Sequence, residues 1–435
     1  MLKRKATVKI KSWLDRKDKK CLVVQGARQT GKTYVIERFA ESNFEEIVEI
    51  NFKETPSAKA IFEGDLTVDR MVMALRFRYP DKKIIPGKTL IFLDEIQECE
   101  EAITSLKFWA IDNRYDVIAS GSLLGIDYKR ASSYPVGYVD YLKMYGLDFE
   151  EFLWGIGISE AMIEALKTFL KQKEPVPAAI NEQMLLYYRQ YIAIGGMPEV
   201  VQKYLDTKDY REVDAVQRNL LQGYLYDIAH YATAEEKVKA EKCYLTLAKQ
   251  LLDKENHKFQ YKEIEKGARA QKYYSSIEWL LRADMVHLSR YVTDIRYDLD
   301  DYARNDFFRA YTTDLSLLLA MKDFSLKQHI VENTLTANSK GGIYECAVAD
   351  ALYKKGYTLY FYKNETTKKE LDIIIQKAGQ IIPVEVKAGN ARANSMRTIM
   401  KKYENITTAY KFINGNIGVS EDGVVTLPLY MAAFI

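Results

Sequence analysis

A glycine-rich segment that ends in a lysine and a hydroxyl residue has the composition needed to bind phosphate. Its residues fit the pattern G-x-x-x-x-G-K-[ST] and are Gly26, Ala27, Arg28, Gln29, Thr30, Gly31, Lys32 and Thr33. Glycines let successive backbone N–H groups point at phosphate oxygens, and the first turn of a following helix adds a partial positive charge. We therefore expect this segment, with the next residue Tyr34, to bind ATP, Lys32 to contact the β- and γ-phosphates, and Thr33 to bind Mg²⁺.

A second motif, which ends in two acidic residues, supports this interpretation. Four apolar residues, 90–93, precede Asp94 and Glu95. An apolar run that ends in two acids predicts a buried parallel strand with carboxylates at its C-terminal edge. Downstream of a P-loop, this pattern predicts that Asp94 binds Mg²⁺ and that Glu95 polarises the attacking water. Ser120 or Ser122, at the end of a later predicted strand, is a candidate sensor of the γ-phosphate, with a plain strand-to-loop turn as the alternative.

A third group of polar residues lies near the C-terminus. We expect a helix over 341–355 with Glu345 near its start, and a hairpin of strands 371–376 and 381–387. Asp372 lies on the first strand, while Glu385 and Lys387 are two apart and share a face of the second. Carboxylates with a lysine in this E…D…E-x-K arrangement suit metal-dependent phosphodiester cleavage. The alternatives are an ion-paired strand face and a nuclease scaffold reused for binding.

The composition of the chain argues against several other classes of protein and of site. The chain has 435 residues and a net charge of +3, so any surface for nucleic acid must be local. Its four cysteines and four histidines are scattered, without the spacing of a zinc site or a disulfide framework. We expect a reducing, cytoplasmic location. The sequence contains no 18-residue apolar run, so no membrane span is expected.

The pattern of elements predicts a multidomain α/β protein. Residues 1–155 read as a parallel-sheet unit of βαβ type, with strands at 22–24, 47–52, 89–93, 115–119 and 138–144. Residues 156–235 read as helical. In 236–310, a helix at 243–252, a helix from about Lys262, a longer helix at 273–283 and a strand at 285–292 suggest a winged helix. Residues 311–435 again read as α/β.

The winged-helix segment has basic side chains that could face a phosphate backbone. They are Lys258, Lys262, Lys266, Arg269, Lys272 and Arg282. Glutamates occur in the same stretch, and winged helices also dock proteins, so both DNA and a protein partner remain open.

The whole chain resembles bacterial and archaeal AAA-type ATPases whose C-terminal half is a domain of unknown function ending in a PD-(D/E)xK nuclease-like fold. The resemblance rests on GARQTGKT at 26–33, LIFLDEIQ at 90–97, ASGSLL at 119–124, YPVGYVDYLKMYGLDFEEFL at 134–153, GGMPEVV at 195–201, GGIYECAVADAL at 341–352, and the later ELDIII and IPVEVKAG. It implies ATP binding with Mg²⁺ and matches the family at Lys32, Thr33, Asp94, Glu95, Glu345, Asp372, Glu385 and Lys387.

One departure concerns catalysis. The family commonly has an arginine where this chain has Tyr138, and Arg28, Arg114 and Arg130 are candidate substitutes. Three hypotheses follow: an ATPase whose nucleotide state controls a C-terminal half that binds DNA or protein, an ATP-regulated metal-dependent nuclease, and a nucleotide-gated binding module that does not hydrolyse ATP. Without an assigned arginine finger, the sequence does not choose between a ring, a dimer and a monomer.

Overall fold

The computed structural model describes residues 2–121, 135–252, 258–364, 366–367, 369–389, 394–403 and 405–435. The chain divides into two compact units. The N-terminal unit comprises Arg4–Tyr145 together with Arg282–Asp284. The C-terminal unit comprises Met1–Lys3, Gly146–Leu281 and Met285–Ile435. The predicted division into four domains is finer than this one and stays a prediction.

The N-terminal unit is a parallel sheet with helices. Its helices are α1 (Lys5–Leu14), α2 (Lys32–Asn43), α3 (Val68–Arg78) and α4 (Glu100–Asp112). Its strands are β1 (Cys21–Gln25), β2 (Glu46–Asn51), β3 (Thr89–Asp94), β4 (Asp116–Gly121) and β5 (Val139–Lys143). The five strands predicted from the sequence in this region are confirmed, with bounds that differ by a residue or two.

All neighbouring strands of this sheet are parallel, in the order β2-β3-β4-β1-β5. Every residue of β3 is buried, as expected for a central parallel strand covered on both faces. Two apolar clusters fill the two sides of the sheet, one around Phe92 and Ile118 and the other around Trp109 and Leu93. Parallel strands bring their carboxyl ends to one edge, so the residues that follow β1, β3 and β4 meet there.

The C-terminal unit is helical in its first part. Its helices are α5 (Phe149–Gly155), α6 (Glu160–Gln172), α7 (Ala178–Ile194), α8 (Pro198–Thr207), α9 (Tyr210–Tyr231), α10 (Ala234–Leu252), α11 (Ala270–Arg282), α12 (Leu315–Ala320), α13 (Phe324–Val331), α14 (Ala337–Lys354) and α15 (Asn394–Lys402). Side chains near the first turn cap several of these helices. Asp148, for example, forms a capping box with Glu151 at the start of α5.

A mixed sheet forms the rest of this unit. Its strands are β6 (Val286–Val292), β7 (Ala303–Thr312), β8 (Leu359–Lys363), β9 (Glu370–Lys377), β10 (Gln380–Lys387), β11 (Ala409–Ile413), β12 (Gly418–Val419) and β13 (Val424–Pro428). The eight-stranded order is β12-β13-β11-β10-β9-β8-β6-β7. The antiparallel pairing of β9 with β10 confirms the predicted hairpin, whose turn contains Ala378 and Gly379 at positive φ. The chain is thus an α/β protein with an N-terminal parallel sheet, a helical middle region and a C-terminal mixed sheet.

Two predicted elements differ from the structure. The helix expected from about Lys262 is only a 3-10 turn at Tyr261–Glu263, because Gly267 adopts a left-handed φ of 80° before α11 begins. The helix carrying Glu345 begins at Ala337, so Glu345 lies near its middle and not near its start. Strand β6, from the predicted winged-helix segment, pairs with both β7 and β8 in the large sheet. The predicted boundary at 310/311 falls inside β7.

Candidate functional site

The phosphate-binding segment connects β1 to α2, in the strand–turn–helix context that the motif requires. Gly31 precedes α2 with a left-handed φ of 82°, which glycine adopts without steric cost. Gly26 is constrained by a close approach, since a Cβ atom there would lie 2.0 Å from the Met144 carbonyl oxygen. The Met144 N–H also donates to the Gln25 carbonyl at 2.7 Å. The start of the loop is therefore fixed against the residues that follow β5.

Lys32 begins α2 and folds over the loop. Its ammonium group donates to the main-chain carbonyls of Gly26 and Ala27, at 3.0 and 2.9 Å. Burial lowers the pKa of Lys32, and the nearby carboxylates of Glu95 and Asp94 oppose that shift. The lysine is thus held at the loop by neutral carbonyl oxygens, with acidic side chains nearby.

Asp94 ends β3 and is the centre of a hydrogen-bonded cluster. Its Oδ2 accepts from the Thr33 hydroxyl at 3.1 Å and from the Asn51 amide at 3.0 Å. Its Oδ1 accepts from the Ser120 hydroxyl. The parallel register explains why these side chains meet. Asn51 of β2 pairs with Asp94 of β3, and Ser120 is the penultimate residue of the neighbouring strand β4. Burial raises the pKa of Asp94, and the Ser120 hydrogen bond counteracts it.

Glu95 leaves the strand in a constrained conformation. Its φ of 50° lies in the left-handed region, which is uncommon for a residue with a side chain and concentrates at functional sites. The Gln97 side-chain amide donates to the Glu95 carboxylate. The carboxylate of Glu95 is thus oriented by a neutral amide, in the position that the sequence predicts for the water-polarising base.

The candidate arginines and the candidate sensor residues lie in different parts of the N-terminal unit, or outside the described residues. Arg28 lies in the loop, and its charge acts on Lys32. Arg114 precedes β4 at its amino end, where its guanidinium contacts Asp112 and Asp69 at 2.7 and 2.6 Å, so within the chain it belongs to the sheet edge opposite Asp94. Tyr138 lies next to Lys107, whose ammonium is 5.5 Å from the ring centroid. Ser122 and Arg130 lie outside the described residues.

The oxygen donors at this edge suit Mg²⁺. Thr33 offers a hydroxyl and Asp94 a carboxylate, already 3.1 Å apart. Mg²⁺ in nucleotide sites is typically held by one or two protein oxygens together with phosphates and water. Within the described ranges, no set of three or more His, Cys, Asp or Glu side chains could hold a metal without such help. The donor set therefore fits a metal that arrives with a nucleotide.

The C-terminal sheet carries three of the four predicted nuclease-like residues, and the fourth, Glu345 on α14, lies near enough for the charge of Asp372 to act on it. Ile373 pairs with Val384, and beyond that pair the Asp372 Oδ2 atom accepts from the Val386 N–H at 3.2 Å. The Lys387 ammonium contacts Glu385 Oε1 at 2.5 Å. Burial raises the pKa of Glu385, while Lys387 opposes that shift. Glu385 Oε2 is buried without a hydrogen-bond partner.

Glu345 is engaged by a residue that the sequence interpretation missed. Arg309, on β7, lies 5 % exposed and donates to Glu345 Oε1 at 2.6 Å and to the Asp372 carbonyl at 3.2 Å. The Tyr311 hydroxyl also donates to Glu345 Oε1, at 3.2 Å. Burial raises the pKa of Glu345, and Arg309 opposes that shift. A buried protein cation therefore neutralises the carboxylate that the nuclease interpretation assigns to metal chemistry.

Three more residues of the N-terminal unit escaped sequence analysis. Asn51 gives no signal beyond its place near the end of a predicted strand. In the sequence, Arg4 is one of several basic residues near the N-terminus. In the structure it is 6 % exposed and contacts the phosphate-binding loop. Asp284 is buried and accepts from the Lys143 ammonium at 2.8 Å, and its charge opposes the lowering of the Lys32 pKa that burial causes. Their distance along the chain from the motifs explains why spacing could not reveal them.

Family models match three parts of the chain. Residues 18–153 match the model of an AAA domain. Residues 185–328 match a domain of unknown function, DUF8612, and residues 340–431 match another, DUF4143. A search of curated proteins found no match. The AAA match covers the segment that contains the loop, Asp94 and Glu95, and so supports a nucleotide-binding P-loop unit.

Three solved structures are remotely similar to this chain. The ORC1 protein of Aeropyrum pernix in complex with DNA has 13% identity, with 77% of this chain and 93% of that chain covered and a TM-score of 0.27. Drosophila ORC bound to DNA has 13% identity, 77% and 95% coverage and a TM-score of 0.25. Cdc6p from Pyrobaculum aerophilum has 13% identity, 76% and 93% coverage and a TM-score of 0.23. TM-scores this low support no argument about the fold or function of this chain.

Among the helices that the structure describes, none is both long enough and apolar enough to cross a membrane.

Proposed function

We propose that the N-terminal unit binds ATP with Mg²⁺ and hydrolyses it. The observation that carries the proposal is the meeting of Thr33 and Asp94, 3.1 Å apart, at the end of a phosphate-binding loop. Residues 26–34 would bind the nucleotide, with the Lys32 ammonium at the β- and γ-phosphates. Thr33 and Asp94 would hold the metal, whose chemical contribution is to neutralise phosphate charge.

The chain's own residues supply the remaining steps. Glu95, oriented by the Gln97 amide, would accept a hydrogen bond from the attacking water and polarise it. Ser120 donates to Asp94, so we propose that it senses the nucleotide indirectly, by fixing the carboxylate that holds the metal. Asn51 would share that role from the neighbouring strand.

Steady-state phosphate release from the purified chain tests this proposal. We expect Lys32→Ala to abolish turnover by removing a fixed charge from the phosphates. Glu95→Gln should keep ATP binding while turnover falls by about 10²-fold or more, the contribution typical of a general base. The exposed Lys9→Ala is the matched control. If Glu95→Gln releases phosphate at the wild-type rate, Glu95 is not the base. If the wild type binds ATP tightly without turnover, the unit is a nucleotide-gated binding module.

We also propose the finer organisation of the chain: an ATPase domain at 1–155, a helical region at 156–235, a winged-helix-like domain at 236–310 and a nuclease-like domain at 311–435. In this arrangement the nucleotide state would control a C-terminal half that binds DNA or a protein. Several lysines near the predicted winged helix contact glutamates: Lys242 and Lys272 contact Glu265 at 2.9 and 2.6 Å, and Lys249 contacts Glu263 at 2.7 Å.

These ion pairs reduce the positive charge available to a phosphate backbone and favour a protein partner. Phosphate release with and without duplex DNA distinguishes the two. A rise in turnover with DNA at low salt would favour DNA, and turnover unchanged by DNA would favour the protein partner.

A second candidate function is metal-dependent nuclease activity in the C-terminal unit. It is favoured by one observation, the unpartnered buried Glu385 Oε2 beside Lys387 and near the Asp372 carboxylate. Against it stands Arg309, which already supplies a cation to Glu345.

A cleavage assay decides between a nuclease site and an ion-paired strand face. The full chain is incubated with plasmid and linear DNA and Mg²⁺ or Mn²⁺, with and without ATP. Cleavage that Asp372→Ala abolishes while Asp306→Ala preserves it would support a nuclease. The absence of cleavage under every condition would leave an ion-paired strand face.

A further inference from the structure

A buried arginine from the N-terminus contacts the phosphate-binding loop. Arg4 is 6 % exposed and lies immediately before α1. One guanidinium nitrogen donates to the Thr30 carbonyl at 2.9 Å, and the other terminal nitrogen donates to the Tyr145 carbonyl at 2.6 Å. Arg4 thus connects the middle of the loop to the residues that follow β5.

The contact with Thr30 fixes the orientation of a peptide group inside the motif. In a trans peptide the C=O of one residue and the N–H of the next point in opposite directions. With the Thr30 carbonyl directed at Arg4, the Gly31 N–H is directed away from Arg4. A phosphate-binding loop depends on the direction of its N–H groups, so the guanidinium controls a donor that the motif requires.

Other contacts hold the same loop but act elsewhere. The Thr30 hydroxyl donates to the Ala27 carbonyl at 2.9 Å, which closes the loop on itself. The Met144 N–H fixes Gln25, before the first glycine. The Lys32 ammonium brings a positive charge to the carbonyls of Gly26 and Ala27. Arg4 brings a second positive charge, to the Thr30 carbonyl, and a charged donor forms a stronger hydrogen bond than a neutral one. Its charge also favours an anion at the loop.

We propose that Arg4 is a positioning residue for nucleotide binding: it holds the Thr30–Gly31 peptide so that the loop is already shaped for the phosphates. This inference rests on the proposed function. A loop ordered before binding loses less conformational freedom when the ligand arrives, so the arginine strengthens affinity without touching the nucleotide.

Binding of Mg-ADP to the full chain, measured by titration calorimetry, tests this role. We expect Arg4→Met to weaken binding about tenfold, the effect of losing a hydrogen bond to a charged donor. The affinity of Arg4→Lys for Mg-ADP should lie between those of the wild type and Arg4→Met, because an ammonium group keeps the charge but lacks the forked guanidinium that reaches two carbonyls. Lys9→Met, on the exposed side of α1, should bind like the wild type.

Chemical rescue separates positioning from general stability. Guanidinium ion, added to Arg4→Ala at a concentration that does not unfold the wild type, should restore part of the lost affinity for Mg-ADP. A protein that is merely less stable would bind more weakly still in guanidinium, so that result would overturn the proposal.

The outcomes also separate this inference from the proposed function. A wild type that binds Mg-ADP no more tightly than Lys32→Ala does would refute both. A wild type that binds, together with Arg4→Met of equal affinity, would refute the role of Arg4 alone. If Arg4→Met does not fold, Arg4→Lys and the rescue of Arg4→Ala decide.

Discussion

Lys354, at the end of α14, offers the sharpest test of how the C-terminal unit is held together. Its side chain is 1% exposed. The ammonium contacts Asp314 Oδ2 at 2.7 Å and Asp350 Oδ2 at 2.9 Å, and it donates to the Tyr191 hydroxyl at 3.0 Å and the Leu147 carbonyl at 3.2 Å. One buried cation therefore joins four segments that are distant in sequence.

The glycines at 195 and 196 depend on the same cluster. The Gly196 N–H donates to Asp314 at 2.9 Å, and its carbonyl accepts from the Leu147 N–H at 2.5 Å. A Cβ atom on Gly196 would lie 2.1 Å from the Leu147 carbonyl oxygen and 2.7 Å from the Lys354 ammonium. The turn at Gly195 and Gly196 thus packs closely around a buried ion pair.

Lys354→Met removes the cation but keeps most of the volume of the side chain. It leaves two buried carboxylates without their counter-ion, and breaking a buried pair in this way costs about 3–5 kcal/mol. Asp350→Asn should cost less, about 1–2 kcal/mol, because Asp314 still pairs with Lys354. The double variant should cost less than the sum of the two, by about 1–3 kcal/mol, since the amide removes one of the carboxylates left unpaired.

Urea unfolding, monitored by hydrogen exchange of peptides from 337–354, measures the unfolding transition of the segment around Lys354. A local measurement is needed because the two units need not unfold together. Lys355→Met, at the exposed neighbouring position, is the matched control and should be within about 0.5 kcal/mol of the wild type. A Lys354→Met variant that unfolds at the wild-type urea concentration, or strictly additive costs in the double variant, would refute this account of the cluster.

Three further predictions concern single groups. Asn51→Ala removes a donor to Asp94, so the KM for Mg-ATP should rise by about three- to tenfold, corresponding to roughly 1 kcal/mol; a change no larger than that of Lys53→Ala would contradict the role of the amide. Burial raises the pKa of Asp350 to about 7, so its stabilising contribution is complete below the unfolded pKa near 4 and is lost as the pH rises through 7. The unfolding free energy of the wild type minus that of Asp350→Asn should therefore fall between pH 5 and pH 8, and a difference independent of pH would show that Asp350 does not titrate there. Arg309→Met leaves Glu345 buried without its cation and should cost about 3–5 kcal/mol, of which Glu345→Gln in the same chain restores a part; no such recovery in urea unfolding would mean that the pair is not coupled.

The sequence by itself determined the features that depend on neighbouring residues. The loop from Gly26 to Thr33 contains its own turn residues and its own ligands. The apolar run before Asp94 specifies a buried strand, and two strand-forming runs on either side of Ala378-Gly379 specify the β9–β10 hairpin. These signals are local because turn residues and the apolar pattern of a strand are properties of residues close in sequence.

Only the tertiary structure decided which distant groups meet these motifs. Arg4 reaches Thr30 and Tyr145, Arg309 reaches Glu345, and Lys354 reaches Asp314. No spacing rule connects such residues, because strand order and helix packing bring them together. Burial then gives each charge its importance, since a cation out of water must find oxygen partners wherever the fold supplies them. The motif therefore predicts phosphate binding, while the fold provides Arg4, which orients the loop, and Arg309, which neutralises Glu345.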